Sequence, residues 1–230
     1  MPRRQLGFSF LELAVAMFIL TLLLGSILVP LATQVEQRQI SESQRTMEQA
    51  RDALLGHAMA FGYLPCADTN NDGLENVTGN VCSSLSGDGI SHGTLPWRTL
   101  GLAAADSWGN RFRYAVHGDY ARRTSFTLGT NTSNLRVCEA AGCASDLTST
   151  AVAVLISHGK NGYGATNSAG GTVYAAPTSA DEQENTDADR DFISRVATAS
   201  GAAAGEFDDI LIWLPRYILF NRMVTAGRLP

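Results

Sequence analysis

A single carboxylate, Glu12, stands inside an apolar run that extends over residues 7–31. Residues 13–32 carry no charge at all, and about twenty apolar residues suffice for a helix to cross a bilayer. A carboxylate near the bilayer centre costs roughly 2.5–3.5 kcal/mol, so it requires a partner and a purpose. Arg3 and Arg4 precede the run, which sets the N-terminus inside by the positive-inside rule. The chain is therefore expected to lead with one long apolar helix and to fold the remainder beyond the membrane.

A secretory signal peptide has a similar outline, but its apolar core is about 7–15 residues long and ends at a small-residue cleavage site. This run is longer, and no A-x-A-like site closes it. An uncleaved signal anchor accounts for the span but leaves Glu12 and the Gly7-Phe8 junction without a reason. A basic leader, Gly7, the aromatic Phe8 and Glu12 four positions later together resemble the processing site of type IV prepilins and type II secretion pseudopilins. The resemblance implies cleavage after Gly7 by a membrane prepilin peptidase and methylation of the new terminus at Phe8. It also implies that Glu12 guides subunits into a filament raised by an inner-membrane assembly platform.

The remainder has room for one globular domain of ordinary size. A net charge of −5, with Lys160 the single lysine, argues against nucleic acid as a partner, since no basic stripe follows the leader. Cys66, Cys82, Cys138 and Cys143 all follow the apolar run, on the oxidising side of the membrane, and read as two disulfides. Four cysteines permit three pairings. The sequential one, Cys66 with Cys82 and Cys138 with Cys143, closes two local loops and is favoured. Zinc is the competing reading, but one C-x4-C pair without a nearby His-x-x-x-His is a poor ligand set.

Beyond Pro30 the pattern becomes amphipathic. Val35, Ile40, Met47, Leu54, Ala58 and Phe61 recur at helical spacing, and no glycine falls between Gly25 and Gly56. Residues 8–61 thus read as one helix, about 80 Å long at 1.5 Å per residue, which Pro30 should kink or locally melt. Gly62 to Pro65 stops it. Loop is expected over 66–93 and 159–177, and strands over 111–116, 125–128 and 151–157. The segment 210–220 is apolar but too short to span a bilayer. The expected fold class is α+β: a long N-terminal helix packed on a small antiparallel sheet. The divisions are a leader (1–7), a transmembrane helix (8–32), its amphipathic continuation (33–62) and a periplasmic head (63–230).

Within the head, Asp106-Ser107-Trp108-Gly109-Asn110 followed by Tyr114 resembles the D-x-W-G-N element of the major pseudopilin of type II secretion. Ser157-His158-Gly159-Lys160-Asn161-Gly162, then Phe207-Asp208-Asp209-Ile210 with Trp213, follow in the order that family uses. Asp and Asn flanking a Trp-Gly turn bond local backbone donors, and the indole buries a large area. This head has extra loops at 66–93 and 131–149 and a tail after Trp213, which imply a minor or paralogous subunit.

Two acidic stretches are candidates for calcium. Asp68, Asn70 and Asp72 before Gly73 make the D-x-N-x-D-G opening of an EF-hand loop, yet Gly79 occupies the twelfth position where a glutamate ligand belongs. The second is Asp187, Asp189 and Asp191 near Glu182 and Glu184. The major pseudopilin holds calcium in its C-terminal loops, and resemblance allows either this cluster or Asp208 with Asp209 to stand there. Solvated turns account for the same residues. Ser157-His158 lacks a nucleophile elbow, and Gly170-Gly171 lacks the lysine of a phosphate loop, so no enzyme is expected. The expected role is structural, as a pseudopilin or minor pilin whose partners are other pilin-like subunits. The rival is a membrane-anchored periplasmic binding or adhesion module that never polymerises.

Overall fold

The computed structural model describes residues 9–124, 126–132, 135–169, 171 and 173–229, with backbone alone over 24–30. It divides into two compact units, Met1–Ser41 and Glu42–Pro230. Helix α1, Phe10–Phe61, runs through both.

In the first unit the helical side chains Phe10, Leu11, Leu13, Val15, Met17, Phe18, Ile19, Leu20, Leu22 and Leu23 are all exposed. The Thr21 hydroxyl donates back to the carbonyls of Met17 and Phe18, so this polar group is satisfied within the helix. Among the described residues no helix is long and apolar enough to cross a membrane; the side chains of 24–30 lie outside that set. Of the two outcomes expected at Pro30, a kink or local melting, melting does not occur: α1 is continuous through position 30. A proline removes one donor and crowds one preceding carbonyl, and the flanking turns continue regardless.

In the second unit the later turns of α1 bury Ser43, Met47, Ala50, Leu54 and Ala58, a stripe at steps of three and four. Val35 and Phe61, which the sequence pattern assigns to the same stripe, are exposed. Met47, Ala50, Leu54 and Ala58 of this stripe join Tyr114, Val116, Val152, Leu155 and Leu214 in one core.

A two-residue hairpin, β1 (Val77–Thr78) with β2 (Val81–Cys82), precedes the main sheet. Six strands among the described residues make that sheet: β3 (Ile90–Thr94), β4 (Arg113–His117), β5 (Leu135–Cys138), β6 (Asp146–Ser157), β7 (Asp191–Ile193) and β8 (Ile210–Pro215). The twelve-residue β6 is the hub, pairing with β4, β5 and β8. Its buried run from Ala151 to Ser157 explains the continuous apolar, β-branched sequence there.

The fold is α+β, but the sheet is mixed rather than wholly antiparallel, because β7 adds parallel to β5. A parallel neighbour needs a long crossover, and the intervening chain through β6 supplies it. Arg136 and Asp191 then clamp the two strands with a two-point ion pair. Residues 126–128, expected as strand, are not. Among the described residues three short helices complete the head: α2 (Trp97–Leu100), α3 (Ala180–Glu184) and α4 (Arg216–Thr225). Pro215 ends β8 and caps α4 in an extended conformation, so the proline that breaks the apolar sequence marks a strand-to-helix junction.

Candidate functional site

Gly7 and Phe8 lie outside the described residues. Glu12, by contrast, is placed in the first turn of α1. Its Oε2 accepts the backbone N–H of Ser9 at 2.9 Å, while Leu13 N–H donates to the Ser9 carbonyl at 3.1 Å. Ser9 is thus the N-cap and Glu12 the third helical residue, the glutamate arm of a capping box. The S-x-x-E spacing that makes this possible is plain in the sequence, Ser9 to Glu12. Leu11, Val15, Ala16 and Ile19 surround Glu12 on the same helix face.

Both disulfides form the sequential pairs. Cys66–Cys82 spans 16 residues and Cys138–Cys143 spans 5, and no cysteine is free. With every sulfur so bonded there is no thiolate set for zinc.

The Asp106 turn ties three parts of the head together. Oδ1 accepts the N–H groups of Trp108 and Asn110 at 3.0 and 2.9 Å, and Oδ2 accepts the Ser157 hydroxyl at 2.6 Å. Burial pushes the Asp106 carboxyl above its ordinary range, and those hydrogen bonds oppose the shift. Gly109 sits at φ +85°, a conformation that favours glycine. The neighbouring Ser107 hydroxyl meets that of Ser43 on α1 at 2.7 Å. Trp108 itself is only half-buried, so the turn is held by its hydrogen bonds more than by indole burial.

The first acidic loop is occupied by its own backbone. Asp68 Oδ1 accepts from the N–H groups of Asn70 and Asn71, and Oδ2 from that of Gly73. Asp72 Oδ1 accepts the Leu74 N–H, and Asn70 Nδ2 donates to Asp72 Oδ2. The second stretch divides. Glu184, Asp189 and Asp191 converge, with Arg136 already paired to Asp191. Asp187 instead accepts the Asp189 N–H, while its carbonyl receives Arg113.

Asp208 and Asp209 converge with Glu182, one ligand oxygen of each lying within 4.8 Å of the others. Glu182 and Asp209 are buried. Glu182 Oε1 accepts from Asn161 Nδ2 and the Asp208 N–H; Asp209 Oδ2 accepts from Asn185 Nδ2 at 2.7 Å. Asp208 Oδ1 is buried with no hydrogen-bond partner, and burial, reinforced by the Asp209 and Glu206 charges, lifts its carboxyl to about 6. Three carboxylates with an oxygen of each within 4.8 Å of the others, and an orphaned Asp208 oxygen beside them, fit a calcium ion. Glu182, Asp208 and Asp209 would hold it. Glu182, 26 residues before Asp208, carries no motif that announces this meeting.

Ser157 and His158 face different partners. The serine hydroxyl donates to Asp106, whereas His158 Nδ1 lies 3.2 Å from Asp209 Oδ1. They do not form a nucleophile–base pair.

Residues 2–28 match the family model of the prokaryotic N-terminal methylation motif. No curated protein and no solved structure matches the chain. The N-terminal segment is thus a methylation motif of the kind found in type IV pilin-like prepilins, and the matched residues include Gly7, Phe8 and Glu12.

Proposed function

We propose that this protein is a pilin-like structural subunit, a pseudopilin or minor pilin, that joins a type II secretion pseudopilus or type IV pilus after processing. The observation that carries the reading is the methylation motif at 2–28, which continues into a helix whose described apolar side chains are uncovered from Phe10 to Leu23. Such a surface is stable only in lipid or against other helices.

In this reading a peptidase removes residues 1–7 and Phe8 becomes the methylated terminus. The segment 8–32 holds the subunit in the inner membrane as a single pass, with the disulfide-bonded head in the periplasm. Assembly moves the apolar helix from lipid into a core of like helices. Glu12, costly to bury alone, gives the step its register by pairing with the Phe8 amine of a neighbouring subunit. The protein acts by packing and not by catalysis.

Co-expression with a prepilin peptidase tests the reading. The expected product begins at N-methylated Phe8 and cross-links to like subunits through residues of the apolar helix. An intact leader sinks the assignment. A processed chain that never cross-links favours the anchored binding or adhesion module instead.

A further inference from the structure

Four basic side chains wall one recess of about 200 Å³ in the head: His92 from β3, Arg111 just before β4, Arg113 on β4, and His158 following β6. Each has buried nitrogen without a protein partner. These atoms are Nδ1 and Nε2 of His92, Nε and Nη1 of Arg111, Nε of Arg113 and Nε2 of His158. His158 and Arg111 are among the buried residues, at 1% and 9% exposure. A buried polar group left without a partner costs about 1–3 kcal/mol, and native proteins keep few of them. Six such nitrogens on one recess point to a ligand.

The wall selects its chemistry. Arg111 is fixed over the Trp97 ring at 5.4 Å, with Nη2 donating weakly to the Ser168 carbonyl. Arg113 spends Nη2 on the carbonyl of Asp187. Each guanidinium has N–H to spare toward anionic oxygen. Asp68 is the carboxylate on this wall, and its oxygens are engaged by Asn70, Asn71, Gly73 and the Thr94 hydroxyl.

The imidazoles add a second requirement. His158 Nδ1 lies 3.2 Å from Asp209 Oδ1, and its Nε2 has no protein partner. Burial, then the Arg113 charge, brings His92 down to about 4; neutral above that pH, it offers one donor and one lone pair. The recess therefore asks for oxygens that accept from arginine and for an O–H that donates to imidazole. Sulfate and simple carboxylates lack that O–H at neutral pH.

We propose that this recess binds a hydrogen phosphate group, either free phosphate or the end of a phosphate monoester. The site is in the head alone and stands whether or not subunits polymerise.

Titration calorimetry of the full-length protein in detergent, with inorganic phosphate, glycerol phosphate and sulfate, tests it. One saturable site for inorganic phosphate or glycerol phosphate is expected, the tighter of the two identifying the natural form. Arg111→Gln is expected to weaken binding about tenfold or more, and His92→Leu, which removes both ring nitrogens, to weaken it similarly. Arg122→Gln removes an equal charge from an exposed ion pair with Asp119, outside the recess, and should bind like the parent. Near-ultraviolet circular dichroism checks that each variant is folded. Absence of saturable binding by the parent, unchanged binding in both recess variants, or sulfate held as tightly as phosphate overturns the proposal.

Discussion

Glu12 holds the backbone N–H of Ser9 at 2.9 Å, so the carboxylate that opens the apolar helix also closes its first turn. Charge and cap are separable properties of this side chain. A glutamine keeps the oxygen that accepts from Ser9 but loses the charge; an alanine loses both. If Glu12 acts in assembly as a buried anion, Glu12→Gln and Glu12→Ala should be excluded from filaments alike. Leader removal should continue in both, since Gly7 is untouched. Cross-linking of processed subunits measures this. Normal incorporation of Glu12→Gln beside failure of Glu12→Ala assigns Glu12 to the helix cap, and the charge pairing with Phe8 is then wrong.

The Cys66–Cys82 bond closes a loop of 16 residues, and both its sulfurs sit in the main core. Chain-entropy arguments give a loop of that size about 3 kcal/mol. The double variant Cys66→Ala, Cys82→Ala should lose about that much in chemical denaturation. Cys138–Cys143 closes a much shorter loop and should matter less on the same argument. A larger loss from the Cys138 pair would show that local strain relief or packing, and not loop closure, sets the order.

How much of this was legible before the fold was known differs by residue. The apolar run and Glu12 are local signals, and so is the helix that ends at Gly62, whose φ of +92° suits glycine at a helix end. The sequential disulfides are also local. What the chain order hides are meetings across the sheet: Glu182 with Asp208, and Arg111 with His158. Each depends on where β6 and β8 lie, which no spacing rule contains. Parallel pairing of β7 on β5 was missed for the same reason, since Phe192 and Val137 become neighbours only after 54 residues of intervening fold. Pro30 removes one hydrogen bond of the many in α1, so the helix is not melted there.

Asp106 accepts three hydrogen bonds from buried or half-buried donors. Asp106→Ala leaves the Trp108 and Asn110 N–H groups and the Ser157 hydroxyl without their acceptor. A loss of about 3 kcal/mol or more is expected, because each orphaned buried group costs about 1–3 kcal/mol. Asp106→Asn should be milder, since its amide oxygen still accepts. Urea denaturation of the two variants beside the parent tests the ranking. Equal losses would mean that the negative charge, not the hydrogen-bond count, holds the turn.

The Glu182, Asp208 and Asp209 cluster makes a prediction in pH and calcium together. Asp208 has a folded value of about 6 against an ordinary 3.8, so the native state holds a proton that the unfolded chain has released. The sign follows from linkage. Between about 4 and 6 the folded form binds more protons, and this group's contribution to stability falls as pH rises through that window. Glu182 is raised in the same direction, chiefly by burial. Calcium replaces the proton as the counter-charge, so it should stabilise the head at pH 7 by mass action and do progressively less below pH 6. Asp208→Asn should remove the calcium effect and raise the melting temperature of the chelator-treated protein at pH 7, because an uncompensated carboxylate is gone. Melting curves at pH 5 and 7, with calcium and with chelator, give all four comparisons. If calcium stabilises Asp208→Asn as much as the parent, the ion binds elsewhere; if chelator-treated Asp208→Asn melts below the parent at pH 7, the Asp208 charge is compensated within the fold and the cluster does not need a cation.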